Sequence, residues 1–242
     1  PDAVAGVTRI RDAAGTVVGT VPNGGRVTWL SPDGLRAAWL DPLPVRTPSS
    51  SVDRAVRVWV AGADGADPRA LADLLASEVA WTPDGRSLIA AARALDGSSP
   101  GIWVIDAESG ATRVIVETAF PQNVRLSPSG LLVAYVETFS GDPAGDGLWI
   151  ASLTDARRWR VPVDTTGYRW GVTDDTLWLL AYGGAGDAGD RLVEVATGTG
   201  EQLRVVALDA TVRDDAWEIA PDGWAVAFWR DDDGTVEVLV WD

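Results

Sequence analysis

The sequence predicts an all-β fold, a single β-propeller of five four-stranded blades. Three observations carry this expectation. A tight-turn motif flanked by apolar runs returns down the chain, its copies lie about 46 residues apart, and each but the last is followed by two further strand-like runs. A chain of 242 residues that is 46% apolar is long enough to bury such a core as one domain.

Taken in order, residues 4–11 and 16–21 read as two short strands around a turn at Asp12-Ala13-Ala14-Gly15. The first repeat opens at residues 27–40, where Ser31-Pro32-Asp33-Gly34 separates two apolar strands. Its third strand is expected at 56–60 and its fourth at 68–76, where Asp67-Pro68 would also suit a helical turn. Further openings fall at 79–92, 124–136 and 216–229, around Thr82-Pro83-Asp84-Gly85, Ser127-Pro128-Ser129-Gly130 and Ala220-Pro221-Asp222-Gly223. In each motif Pro fixes φ, Gly takes a positive φ and Asp accepts nearby amide hydrogens, a combination that makes a tight turn.

The turn prolines stand at 32, 83, 128 and 221. The last gap is twice the others, so a worn copy is expected halfway along it. Residues 168–182 supply one, with Thr173-Asp174-Asp175 in place of the turn motif. The last repeat ends after its third strand, so the N-terminal segment 4–21 is expected to close it through residues 16–21. The strand at 4–11 is then surplus, which leaves six blades or a fragment of a larger ring as alternatives.

The four turn motifs resemble the WD40-like repeats of TolB-type propellers, also seen in LpqB lipoproteins, and the resemblance covers nearly the whole chain. It implies a propeller scaffold that binds a protein or peptide partner, and an exported, periplasmic or cell-surface location. Ser129 in place of Asp and the missing Pro and Gly of the fourth copy depart from the pattern.

Composition narrows the chemistry. A net charge of −15 argues against nucleic acid, whose affinity comes from clustered Lys and Arg. The chain has no His, Cys or Lys, which removes Ser-His-Asp triads, thiol nucleophiles, His or Cys zinc sites and Schiff-base chemistry. Gly97-Ser98-Ser99-Pro100-Gly101 fits a hydrolase elbow in letters only, since a strand is expected after it. No apolar run approaches the roughly 20 residues that span a bilayer, and no signal peptide is seen; a monomer or a module of a larger protein is expected.

The turns join first and second strands at one end of each blade, so the connections between second and third strands emerge at the other. These irregular loops hold Asp41, Asp53, Asp96, Asp142, Asp146, Asp187, Asp190, Asp231, Asp232 and Asp233. Loops of uneven length on a rigid scaffold are where binding sites are built. The expected partner site is therefore the acidic rim of Asp96, Asp142, Asp146, Asp187, Asp190, Asp231, Asp232 and Asp233, with soluble turn chemistry as the plainer reading of the same residues. Neither Asp187 with Asp190 nor Asp231 with Asp233 follows an EF-hand pattern, and no metal or cofactor is expected. Trp29, Trp81, Trp170 and Trp217 on first strands, and Trp59, Trp103 and Trp149 on third strands, read as packing between blades.

Two alternatives stay open. The tryptophans would serve a carbohydrate-binding propeller, and Glu78, Asp164, Asp214 and Asp215 would serve a glycoside hydrolase working with paired carboxylates.

Overall fold

The computed structural model describes the chain apart from residues 1, 5, 13, 25, 45–53, 120, 139–143, 156, 164–166, 184–188, 232 and 242, and gives the backbone alone at 2–4 and 213–215. The described residues form β-strands and turns without an α-helix, and no helix is long and apolar enough to cross a membrane. Two compact units divide at Val124 and Arg125.

The first unit begins with a three-stranded antiparallel sheet, β1 (Asp2–Val4), β2 (Val7–Arg11) and β3 (Val17–Val21). Residues 16–21, expected as the closing strand of the last repeat, pair with β2 through Thr8↔Val21 and Arg9↔Thr20 and belong to this sheet. The surplus segment 4–11 becomes the end of β1 and β2. Gly19 packs so tightly on the Ala63 carbonyl that an added Cβ would stand 1.8 Å from it. Ile10 and Val21 bury against Ala37, Trp39 and Ala61 of the next sheet.

The first two repeats share one sheet. It contains β4 (Thr28–Leu30), β5 (Arg36–Pro42), β6 (Arg54–Gly62), β7 (Arg69–Ala76), β8 (Ala80–Trp81), β9 (Ser87–Arg93), β10 (Gly101–Asp106) and β11 (Thr112–Glu117). Separate four-stranded blades were the expectation here. The difference arises because β8 has only two residues and covers β9 at Ile89 and Leu88 alone, while the end of β7 takes the remaining edge through Leu75↔Arg93 and Ala76↔Ala92. The segment after Pro68 is strand, not helix: Asp67 makes the turn at φ 50°, and β7 then pairs with β6 over its length. The core between the two repeats is built from Val58, Val60, Leu74, Trp81, Leu88 and Ile105.

The remaining repeats are separate sheets. One has β12 (Pro121–Leu126), in which the boundary between the units falls, β13 (Leu132–Glu137), β14 (Gly147–Ser152) and β15 (Arg158–Arg160). The next has β16 (Tyr168–Trp170), β17 (Thr176–Ala181), β18 (Arg191–Ala196) and β19 (Gln202–Ala207), and the last has β20 (Val212–Ile219), β21 (Ala225–Arg230) and β22 (Val236–Val240). The segment read from the sequence as a worn copy, 168–182, holds β16 and β17.

One backbone bond identifies all five openings. The amide donates to a carbonyl five residues on from Ser31, Thr82, Ser127, Gly171 and Ala220, at 2.8–3.0 Å. The fourth turn thus keeps the geometry without the Pro or Gly. In the first two turns the Ser31 and Thr82 hydroxyls donate to Asp33 and Asp84 and accept from the amides of Arg36 and Ser87. Those hydroxyl bonds hold the Asp33 and Asp84 carboxyls below the usual carboxylate range. Where Ser129 replaces Asp, the fourth turn lends a carboxylate: Asp174 accepts from the Ser129 amide at 3.1 Å and from its hydroxyl.

Candidate functional site: a cavity at the loop end of the first repeat

Strand geometry delivers the site. At the end of the first repeat's sheet away from its Ser-Pro-Asp-Gly turn, the chain enters β4, leaves β5, re-enters β6 and leaves β7, so four strand ends meet there. A cavity of about 460 Å³ opens between them, lined by Arg26, Val27, Trp29, Leu40, Pro42, Arg54, Val56, Ala76, Ser77 and Glu78.

The entry segment is fixed from beneath. Asn23 is buried, and its amide donates to the Arg26 carbonyl at 3.0 Å and to the Thr28 hydroxyl at 2.7 Å, while Thr8 donates to the Asn23 side-chain oxygen at 3.0 Å. These bonds tie Asn23 to Arg26 and Thr28 and set Arg26 and Val27 at the mouth. The floor is apolar: Val56 and Ala76 are buried, and Trp29 and Leu40 pack on the core. Trp29 is also held by its backbone, since its carbonyl accepts from the Trp81 indole at 2.9 Å.

Charge at the mouth is of both signs. The Arg26 guanidinium bonds Asp41, which lies opposite Arg57 in the β5–β6 register; Arg57 in turn makes two bonds to Asp73 at 2.7 and 2.8 Å. The Arg57 contact holds the Asp73 carboxyl below its ordinary value. Arg26 is therefore committed to a charge chain along the sheet. Arg54 is exposed, and among the described residues no ion pair holds it; Glu78 is exposed across the mouth. The arrangement can seat an apolar side chain on Trp29, Leu40 and Val56 and orient polar groups of either sign at its rim.

The predicted rim acids do not gather at this site. Asp142, Asp187 and Asp232, with Asp53, lie outside the described residues. Asp190 is only 4% exposed, which corrects its placement on the rim: its two oxygens accept from the Gly183 amide at 2.9 Å and the Val212 amide at 2.7 Å. A buried carboxylate saturated by backbone donors is a structural tie between β18 and β20. Asp96 is exposed and serves its own turn, with its carboxyl lowered by bonds from the Ser98 hydroxyl and amide. Asp233 accepts from the Thr235 amide and hydroxyl at 2.9 and 2.6 Å and stands 3.8 Å from Arg230. Asp231 is exposed and Asp146 half-buried. Among the described residues no group of three or more potential ligands is placed to hold a metal ion.

The other sequence candidates resolve similarly. Asp164 and the side chains of Asp214 and Asp215 lie outside what is described, and Glu78 stands in the cavity without a described carboxylate partner lining it. Ser99 sits in a turn between β9 and β10 at φ 50°, its carbonyl accepting from the Trp103 indole. The tryptophans pack and staple: Trp81 bonds the Trp29 carbonyl and Trp170 the Arg125 carbonyl, each linking the first strands of successive repeats. Trp217 is buried under the Arg169 guanidinium, 4.8 Å from the ring centre.

Arg26, Val27 and Arg54 were not among the sequence candidates. The available signal was positional: they flank the first and third strands of the repeat with the longest second-to-third connection, 43–53.

No protein-family model matches the chain, and no curated protein matches its sequence. Solved structures do. TolB from Acinetobacter baumannii is similar over 97% of this chain and 57% of its own, at 14% identity and a TM-score of 0.62. Oligogalacturonate lyase from Vibrio parahaemolyticus is similar over 92% of this chain and 67% of its own, at 15% identity and a TM-score of 0.66. Puromycin hydrolase is similar over 93% of this chain and 37% of its own, at 21% identity and a TM-score of 0.53. These likenesses show the all-β propeller type of fold, and the chain spans little more than half the length of TolB. They include enzymes as well as TolB, so the fold fixes no activity.

Proposed function

We propose that the chain is a non-enzymatic binding scaffold that engages a protein or peptide partner at the loop ends of its sheets. The observation that carries this reading is the cavity of about 460 Å³ at the first repeat, with an apolar floor and an exposed arginine and glutamate at its mouth. A partner residue with an apolar side chain would seat on Trp29, Leu40 and Val56, and Arg54 and Glu78 would orient the flanking polar groups. The exposed acids Asp96, Asp231 and Asp233 remain proposed contacts for a basic stretch of such a partner. The TolB-like fold supports a scaffold role and suggests an exported protein.

The half-buried Trp29 beside the arginines favours one second reading, binding of a carbohydrate, because an aromatic wall beside polar groups is also a sugar platform.

Panning a phage-displayed random peptide library against the whole chain, alongside a glycan array, separates the two. Enrichment of peptides sharing an apolar anchor, lost on Val27→Glu and Arg54→Glu, supports the peptide reading. Glycan binding lost on the same variants replaces it with the carbohydrate reading, and silence of both screens overturns the site.

A further inference from the structure

The repeated turn bond lets the five repeats be compared residue by residue, because Arg36, Ser87, Leu132, Thr176 and Ala225 all accept it. Two residues beyond these stand Ala38, Ile89, Ala134, Trp178 and Ala227. The strand register sets them opposite Val60, Val104, Ile150, Glu194 and Val238. The fourth repeat alone therefore carries an indole and a carboxylate where the other four carry aliphatic side chains. The Glu194 side chain is only 17% exposed. Burying a carboxylate where a valine serves the fold costs desolvation, and a residue that breaks the local rule in this way marks a task of its own.

These departures line a cavity of about 240 Å³ inside the second unit, where Trp178, Glu194 and Arg204 of the fourth sheet face Asp222 and Trp224 of the fifth turn. Arg204, opposite Glu194, has the place of Arg69 in the first repeat. Arg69 commits its guanidinium to the Ala107 and Glu108 carbonyls. Arg204 instead stands 5.8 Å from the centre of the Trp178 ring and 3.6 Å from Glu194, beyond hydrogen-bond length. Among the described residues neither the Arg204 guanidinium nor the Glu194 carboxylate makes a hydrogen bond, so donors and acceptors stand side by side at the cavity. The walls are set in advance. The Trp241 indole donates to the Gly223 carbonyl at 3.1 Å and its ring lies 5.4 Å from that of Trp178, which ties the fifth turn to the fourth sheet. Asp222 accepts from the Trp224 amide at 3.1 Å, and the Trp224 side chain is exposed at the rim.

We propose that this cavity binds a neutral sugar ring through two adjacent hydroxyls. A hydroxyl both donates and accepts, so a neighbouring pair donates to Glu194 and accepts from Arg204 together. The C–H face of the ring then lies on the Trp224 indole, an aromatic wall beside a few placed polar groups. Charge selects the class: an anion meets Glu194 and Asp222, a cation meets Arg204, and a neutral polyol meets neither repulsion. A free monosaccharide and the terminal residue of a glycan present the same ring. No residue of this site lines the cavity of the first repeat, and the proposal does not rest on the partner assigned there.

Saturation-transfer NMR of the whole chain with a panel of free hexoses, pentoses and N-acetylhexosamines, beside a glycan array, tests this. A response to a free sugar identifies a monosaccharide ligand, and a response of the array alone identifies a glycan terminus. In either case Trp224→Ala and Glu194→Val should each weaken binding at least tenfold. Glu194→Val restores the residue type of the other repeats, so it should melt no lower than the wild type, whereas a carboxylate needed only for the fold would lower the melting temperature. Trp224→Ala, at an exposed position, decides the matter should Glu194→Val fail to fold. Leu131→Ala, which alters the exposed residue at the place of Trp224 in the third repeat, should leave binding unchanged. Silence of both screens, or sugar binding that survives Trp224→Ala and is lost on Val27→Glu, overturns the proposal.

Discussion

The two ends of the sheets are built on different rules. At the turn end, five loops are closed by the same amide-to-carbonyl bond, and a missing side chain is replaced from a neighbour, as Asp174 does for Ser129. At the loop end no single bond closes every connection among the described residues: one acid is buried, Asp96 and Asp233 serve their own turns, and one repeat opens a cavity. The turn end is under one geometric demand shared by every repeat. The loop end is free of it, so its residues report individual tasks.

Four substitutions test how far that contrast holds. The largest effect is expected at the loop end, where Asp190→Ala strands the buried Val212 amide and the half-buried Gly183 amide and costs about 2–3 kcal/mol by urea denaturation. A neutral result would place Asp190 among the free rim acids after all. At the turn end, Asp84→Ala removes the acceptor of the Thr82 hydroxyl and the Arg86 amide and costs about 1 kcal/mol. Ala220→Ser supplies the hydroxyl that the fifth turn lacks and should stabilise by about 0.5–1 kcal/mol, because the Ala225 amide stands where Arg36 and Ser87 donate in the first two turns. Asp96→Ala, at the exposed loop end, should leave the melting temperature unchanged.

The same contrast has a pH signature. The Asp33 and Asp84 carboxyls titrate below 3.8 in the folded chain, so the unfolded chain binds more protons as the pH falls past that value. Their stabilisation is complete above 3.8 and is lost as the pH drops through their lowered values. Urea midpoints measured from pH 5 to pH 2.5 should decline, and Asp84→Asn should flatten part of the decline.

The repeat was legible because its demand is local: a Pro, an Asp and a Gly within four residues, flanked by apolar strands. Even the worn copy at 168–182 could be placed by spacing. What was not legible depends on partners distant in sequence. Asp190 reads as a soluble loop acid until its bond to the Val212 amide, 22 residues away, is seen. The shared sheet of the first two repeats follows from the brevity of β8, which no apolar pattern sets. Arg54 begins a strand like any other charged residue, and only the meeting of four strand ends gives it a cavity to face.

The central claim is that the cavity of the first repeat binds the partner. Its most direct measurement is the dissociation constant of a selected peptide for the wild-type chain and for Val27→Glu and Arg54→Glu, both at exposed positions of the mouth. Each variant is predicted to weaken binding at least tenfold with an unchanged melting temperature. Equal dissociation constants for all three proteins would contradict the account.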